Sequence, residues 1–105
     1  MEYEVDRERI ALDDRFFDLV KSNKKTSTVR AGYREYKLGP GEFYSDTQSI
    51  PITIDSVEYR HFCDLGDAIA HTDGFNSANE LKGELLKFYP NLQALDVVTV
   101  VLFHY

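Results

Sequence analysis

Apolar residues along this 105-residue chain change their spacing several times, and each change marks an expected element. Arg9-Ile10-Ala11-Leu12 reads as a short opening strand. Leu12, Phe16, Leu19 and Val20 then recur at helical spacing, and Phe17 widens the stripe. Asp13 or Asp14 is placed to cap that helix, its carboxylate accepting from the free N–H groups of the first turn. Lys21 and Lys24 complement the negative C-terminal end, and Asn23 suits the left-handed conformation of a helix stop. Thr26 to Arg30 is β-branched or small and reads as a strand. Strict alternation puts Thr26, Thr28 and Arg30 on one face, Ser27 and Val29 on the other. Lys25 has the wrong parity to join Thr28 unless the bend out of the helix swings it round.

Gly39-Pro40-Gly41 signals a turn, and Glu42 to Asp46 a strand that runs into a loop at Thr47-Gln48-Ser49. Ile50, Ile52 and Ile54 share one face of the next strand, but the apolar set then moves to Val57 and Tyr59. That change of parity predicts a β-bulge near Asp55-Ser56, and Pro51 places the start of the strand on an edge. Asp64 to His71 reads as a short helix followed by a turn at Asp73-Gly74. Ser77-Ala78-Asn79-Glu80 is a capping box for a helix with Leu81, Leu85 and Phe88 inward and Pro90 as its stop. Val97 to Phe103 is apolar on both faces, as a central strand requires. No regular βαβ repeat, linker or low-complexity tract is visible. The pattern favours a small α+β barrel flanked by two to three helices, one domain over residues 1–105.

Composition narrows the setting. A hydrophobic content of 43% supports a core without disulfides or metal. Cys63 is the single cysteine, which makes a reducing, cytoplasmic compartment the natural expectation. The acidic start, Met1-Glu2-Tyr3-Glu4-Val5-Asp6, has no apolar run of the kind a secretory signal needs. The longest apolar run is too short to span a membrane.

The formal charge of −6 argues against long duplex as a partner, but it is unevenly placed. Lys21, Lys24, Lys25, Arg30, Arg34 and Lys37 fall within one stretch opposed only by Glu35, leaving six basic and seventeen acidic residues elsewhere. Such a patch suits a short single strand or one nucleotide; a solvated helix end followed by a charged turn is the plainer alternative. Tyr33 and Tyr36 beside it are candidate stacking rings, or ordinary surface tyrosines. His61, Cys63 and His71 lack the paired spacing of a zinc site, so no metal or other cofactor is expected. Cys63 is expected as a small buried hydrophobe and His104 as a structural residue. Gly39-Pro40-Gly41 lacks the lysine and hydroxyl of a phosphate loop.

Lys24-Lys25-Thr26-Ser27-Thr28-Val29-Arg30 after a short helix resembles the G-x-K-T-x-T-x-R-type signature of ASCH domains, the activating-signal-cointegrator homology members of the PUA-like superfamily. The Gly39 turn, Ile52 to Phe62, Asp73 to Ser77, Glu80-Leu81, Tyr89-Pro90 and a last strand ending in Phe103 follow in matching order. The similarity spans roughly residues 9 to 104. It implies a curled PUA-like β-barrel with a cleft beside the Lys-Thr strand and an association with RNA. A small bacterial branch of similar length removes the acetyl group from N4-acetylcytidine with a lysine, a threonine and a later glutamate. Lys25 and Thr28 match the first two. The glutamate's place falls at Asp73-Gly74, and Asn23 stands where the family has glycine.

Two site readings follow, and a third lies outside the cleft. In binding, Arg30 and Lys25 contact phosphate and Thr28 or Ser27 a sugar or base edge, with Lys21, Lys24, Thr26, Tyr33 and Arg34 completing the surface for RNA or a modified nucleoside. In amide hydrolysis, Lys25 is the base, Thr28 the nucleophile and Asp73 the substitute acid. A lysine serves as base only if burial or neighbouring cations lower its pKa. The third is a protein-interaction module that docks an acidic partner on the basic patch.

Overall fold

A computed structural model of the chain describes residues 7–105; the acidic opening segment, on which the secretory-signal expectation falls, lies outside the described residues. Five strands, β1 (Glu8–Ala11), β2 (Ser27–Ala31), β3 (Gly39–Tyr44), β4 (Ser49–His61) and β5 (Val97–His104), form one sheet in the order β1-β3-β4-β5-β2. β1 runs parallel to β3, and every other pair is antiparallel. The sheet curls into a half-barrel whose edge strands meet at an unpaired seam, where Arg30 Nη2 of β2 donates to Ala11 O of β1 at 2.6 Å. Three helices, α1 (Phe17–Lys21), α2 (Asp67–Thr72) and α3 (Ala78–Phe88), flank it.

β5 is the hinge of the packing. Val101 and Phe103 enter a core with Ile10, Phe17, Val20, Phe43, Ile52 and Ile54. Val98 and Val100 face a second core with Val29, Phe62, Leu65, Leu81 and Leu85. A strand apolar on both faces therefore lies between two cores, each fully buried side chain contributing about 1.5–3 kcal/mol. The partner register of β4 shifts between Ile54 and Ser56, the bulge that the apolar pattern predicts. β4 is central, yet Pro51 pairs only with Glu42 of β3, because the first β5 pair is Thr53 with His104. The missing N–H thus breaks no ladder.

The helix expected from Leu12 onward is shorter and later. Leu12 instead extends β1, its N–H donating to Tyr44 O at 2.9 Å, and its side chain is buried. Asp13 caps a 3-10 turn, Asp14–Phe16, by accepting from Arg15 N at 3.1 Å, and α1 follows. Gly39-Pro40-Gly41 opens β3 and is not a turn, since pairing with Ile54, Thr53 and Ile52 overrides the local signal. Asp64 ends a 3-10 turn, and α2 begins three residues later. Ser77 Oγ accepts from Glu80 N at 3.2 Å, so half of the capping box forms. Glu80 turns instead to Asn76 Nδ2 at 3.3 Å. Phe88 is 56% exposed at the end of α3, and Cys63 is exposed too, against the expectation of burial for both.

Candidate functional site

Asn23 sets the site's geometry. Its backbone takes φ 61°, and the N–H groups of Lys24 and Lys25 both donate to Leu19 O, at 2.9 and 3.0 Å. This tight stop reverses the chain within two residues, so consecutive lysines diverge: Lys24 is exposed and Lys25 is buried at 2% exposure. The bend brings Lys25 to the cleft that Thr28 lines from β2, which settles the parity conflict.

Lys25 Nζ is fully engaged. It donates to Ser27 O at 2.9 Å, to Asp73 O at 3.2 Å and to Asp73 Oδ1 in a short contact, three acceptors for three N–H donors. It also stands 5.4 Å from the centre of the Phe16 ring. Asp73, far along the chain, is delivered by the C-terminus of α2, and Gly74 at φ 94° makes the turn that follows. Thr26 N donates to Thr72 O at 2.7 Å and Ser27 Oγ bonds Thr72 Oγ1 at 2.8 Å, which fixes α2 against β2. Burial lowers the pKa of Lys25, opposed by its attraction to Asp73. Burial likewise raises the pKa of Asp73, opposed by Lys25. Both directions move the pair toward an uncharged lysine and a protonated aspartate.

The cleft has a volume of about 590 Å3 and lies along the seam between β1 and β2. Lys25, Thr28, Arg30, Arg34 and Asp73 line it together. Thr28 is buried and makes no side-chain hydrogen bond among the described residues, leaving its hydroxyl for a ligand. Arg30 donates to Val29 O at 3.3 Å as well as to Ala11 O, and burial lowers its pKa. Arg34 Nε donates to Ala31 O at 3.0 Å and Nη2 reaches Tyr89 Oη at 3.5 Å. Thr99 holds this loop, donating to Gly32 O at 2.7 Å and accepting from Arg34 N at 3.0 Å.

Other expected residues stand apart. Lys21, Lys24, Thr26 and Tyr33 do not line the cleft. Tyr33 instead stacks on Tyr59, ring centres 4.4 Å apart and planes at 21°, while Tyr36 lines the cleft. The sequence reading missed Glu84, Tyr89, Phe75 and Phe16 as lining residues. Phe16 and Phe75 meet edge to face at 5.9 Å. Glu84 is the second interior carboxylate, contacted by Arg15 and by Lys87 Nζ at 3.3 Å. Helical spacing from Leu81 and Leu85 places it beside the inner face of α3, the one signal that could have found it. His61 bonds Leu95 O and His104 bonds Asp55, both on the surface. No group of three or more His, Cys, Asp and Glu side chains converges among the described residues, and no helix there is long and apolar enough to cross a membrane.

No protein-family model matches the sequence, and no curated protein does. Solved structures do match in shape. An ASCH domain from Lactobacillus crispatus JV V101 superposes with a TM-score of 0.75 at 14% identity, covering 92% of this chain and 79% of that one. A protein of Enterococcus faecalis V583 under the DUF984 family model gives 0.74 at 14% identity, covering 99% and 78%. A mutant ASCH protein from Zymomonas mobilis gives 0.65 at 15% identity, covering 92% and 68%. The chain has the ASCH-type fold, a small curled α+β half-barrel with three helices.

Proposed function

We propose that this ASCH-type domain binds one nucleoside unit of RNA, free or within a strand, in the cleft between β1 and β2. The observation that carries the reading is the convergence of an unpartnered Thr28 hydroxyl, the Arg30 and Arg34 guanidiniums and the Phe16, Tyr36 and Phe75 rings on one 590 Å3 cavity. Rings supply stacking for a base, the hydroxyl reads a sugar or base edge, and guanidinium attracts phosphate. The volume falls in the range of small-ligand pockets and is far below a duplex footprint. A cytoplasmic setting belongs to this reading, with Cys63 as an exposed free thiol.

A second reading, amide hydrolysis of N4-acetylcytidine, is favoured by the direct contact of Asp73 with Lys25 beside Thr28. Passing a proton from Lys25 to Asp73 leaves an amine able to take the Thr28 proton. Thr28 Oγ1 then attacks the acetyl carbon, the C–N bond breaks, and Asp73 protonates the departing cytidine amine. Water hydrolyses the acetyl ester and restores Thr28. Incubation with N4-acetylcytidine, following cytidine and acetate, tests both. Turnover lost in Thr28→Ala establishes the hydrolase; binding without turnover leaves the binding domain. Neither one would leave the interaction module, to which the basic patch offers the exposed Lys21 and Lys24 outside the cleft.

A further inference from the structure

We propose that Arg30 and Arg34 form an anion subsite inside the cleft, so that the ligand is a phosphorylated nucleoside and not the free nucleoside; this rests on the nucleoside-binding reading. Several other cations have carboxylate partners. Lys25 has Asp73, Arg9 has Glu42 at 2.5 Å, and Arg15 has Glu84 and Asp13. Arg30 and Arg34 alone among the arginines lining the cleft have no carboxylate within ion-pair distance among the described residues. Their partners are neutral oxygens: Val29 O and Ala11 O for Arg30, Ala31 O and Tyr89 Oη for Arg34.

Each guanidinium carries five N–H donors, and two of each are engaged, which leaves three on each side chain. Both side chains line the same cleft. Arg30 is part-buried and Arg34 exposed at the cleft, and spare donors in a planar fork suit the oxygens of a phosphate placed between them. Asp73 attracts Arg30 as well but is hydrogen-bonded to Lys25, and Glu84 is contacted by Arg15 and Lys87. Lys25 has all three donors taken by Ser27 O, Asp73 O and Asp73 Oδ1, so the proposed subsite is built on Arg30 and Arg34 in place of the expected pairing of Lys25 with Arg30.

Titration calorimetry with N4-acetylcytidine, its 5′-monophosphate, a short single-stranded RNA and inorganic phosphate tests the subsite. The monophosphate is expected to bind at least about tenfold tighter than the nucleoside, as one charge-assisted contact implies. Arg34→Gln, at a largely exposed position, is expected to remove most of that gain; Arg30→Gln is expected to remove all of it. RNA binding tighter than the monophosphate assigns the phosphate to a strand, and equal binding assigns it to a free nucleotide; both support the subsite. Equal affinity for nucleoside and monophosphate overturns it while the nucleoside reading stands. Inorganic phosphate binding that Arg30→Gln abolishes, with no nucleoside binding, keeps the subsite and overturns the nucleoside reading.

Discussion

Two groups of cations share one cleft and are treated in opposite ways. Lys25 is enclosed, saturated by three acceptors and neutralised by Asp73. Arg30 and Arg34 are held by neutral oxygens and keep spare donors. The difference separates two kinds of charge. One is closed by internal partners; the other has donors left over, which the proposed subsite fills with an anion. Lys21 and Lys24, charged and exposed outside the cleft, belong to neither.

The largest test of this contrast is Lys25→Met. It leaves Asp73 buried without its partner and is expected to destabilise the fold by about 3–5 kcal/mol in urea unfolding. The double variant Lys25→Met with Asp73→Leu should recover most of that loss, since both desolvation penalties vanish together. A single variant as stable as the wild type would remove Lys25 from the structural group. Arg30→Gln is next: it removes the charged donor to Ala11 O across the seam and should cost about 1–3 kcal/mol. Unlike Lys25→Met, it should also weaken monophosphate binding by about tenfold.

pH sharpens the same comparison. The pKa of Asp73 is raised from 3.8, so over the interval up to its folded value the native state holds a proton that the unfolded chain has lost. Its contribution therefore falls as pH rises through that interval. For Lys25, lowered from 10.5, the unfolded chain holds the extra proton above the folded value, and the contribution returns as pH rises toward 10.5. The pair is thus least favourable between the two folded values. Subtracting the urea stability of wild type from that of the double variant across pH should give a difference with its maximum in that window. A flat difference contradicts the shifts. The smallest effect is expected of Lys21→Ala and Lys24→Ala, each within about 0.5 kcal/mol in stability. Their effect on monophosphate binding should be under about twofold, because exposed charges outside the cleft are screened by salt.

What could be read from sequence was local. The parity change after Ile54 gave away the bulge, Asn23 the helix stop, and the doubly apolar Val97–Phe103 run the central strand. Misreadings came where distant pairing outweighs local chemistry. Gly39 and Pro40 carry turn propensity but pair with Ile54 and Thr53, and Leu12 follows β1 because Tyr44 O accepts its N–H. Within the site, Lys25, Thr28 and Arg30 lie on one short stretch and were legible as a group. Glu84, Tyr89 and Phe75 reach the cleft only because α2 and α3 fold back over β2, and no spacing rule encodes that. Tyr33 and Tyr36 are three residues apart and equivalent by composition, yet stacking on Tyr59 draws Tyr33 away and leaves Tyr36 at the cleft.

The most direct test is to follow the backbone amides of the labelled protein by NMR while adding N4-acetylcytidine 5′-monophosphate. The account predicts shifts centred on Thr28, Arg30, Arg34, Asp73 and Tyr89, with Lys21 and Lys24 unmoved. Shifts confined to Lys21 and Lys24, or none at saturating ligand, would contradict it.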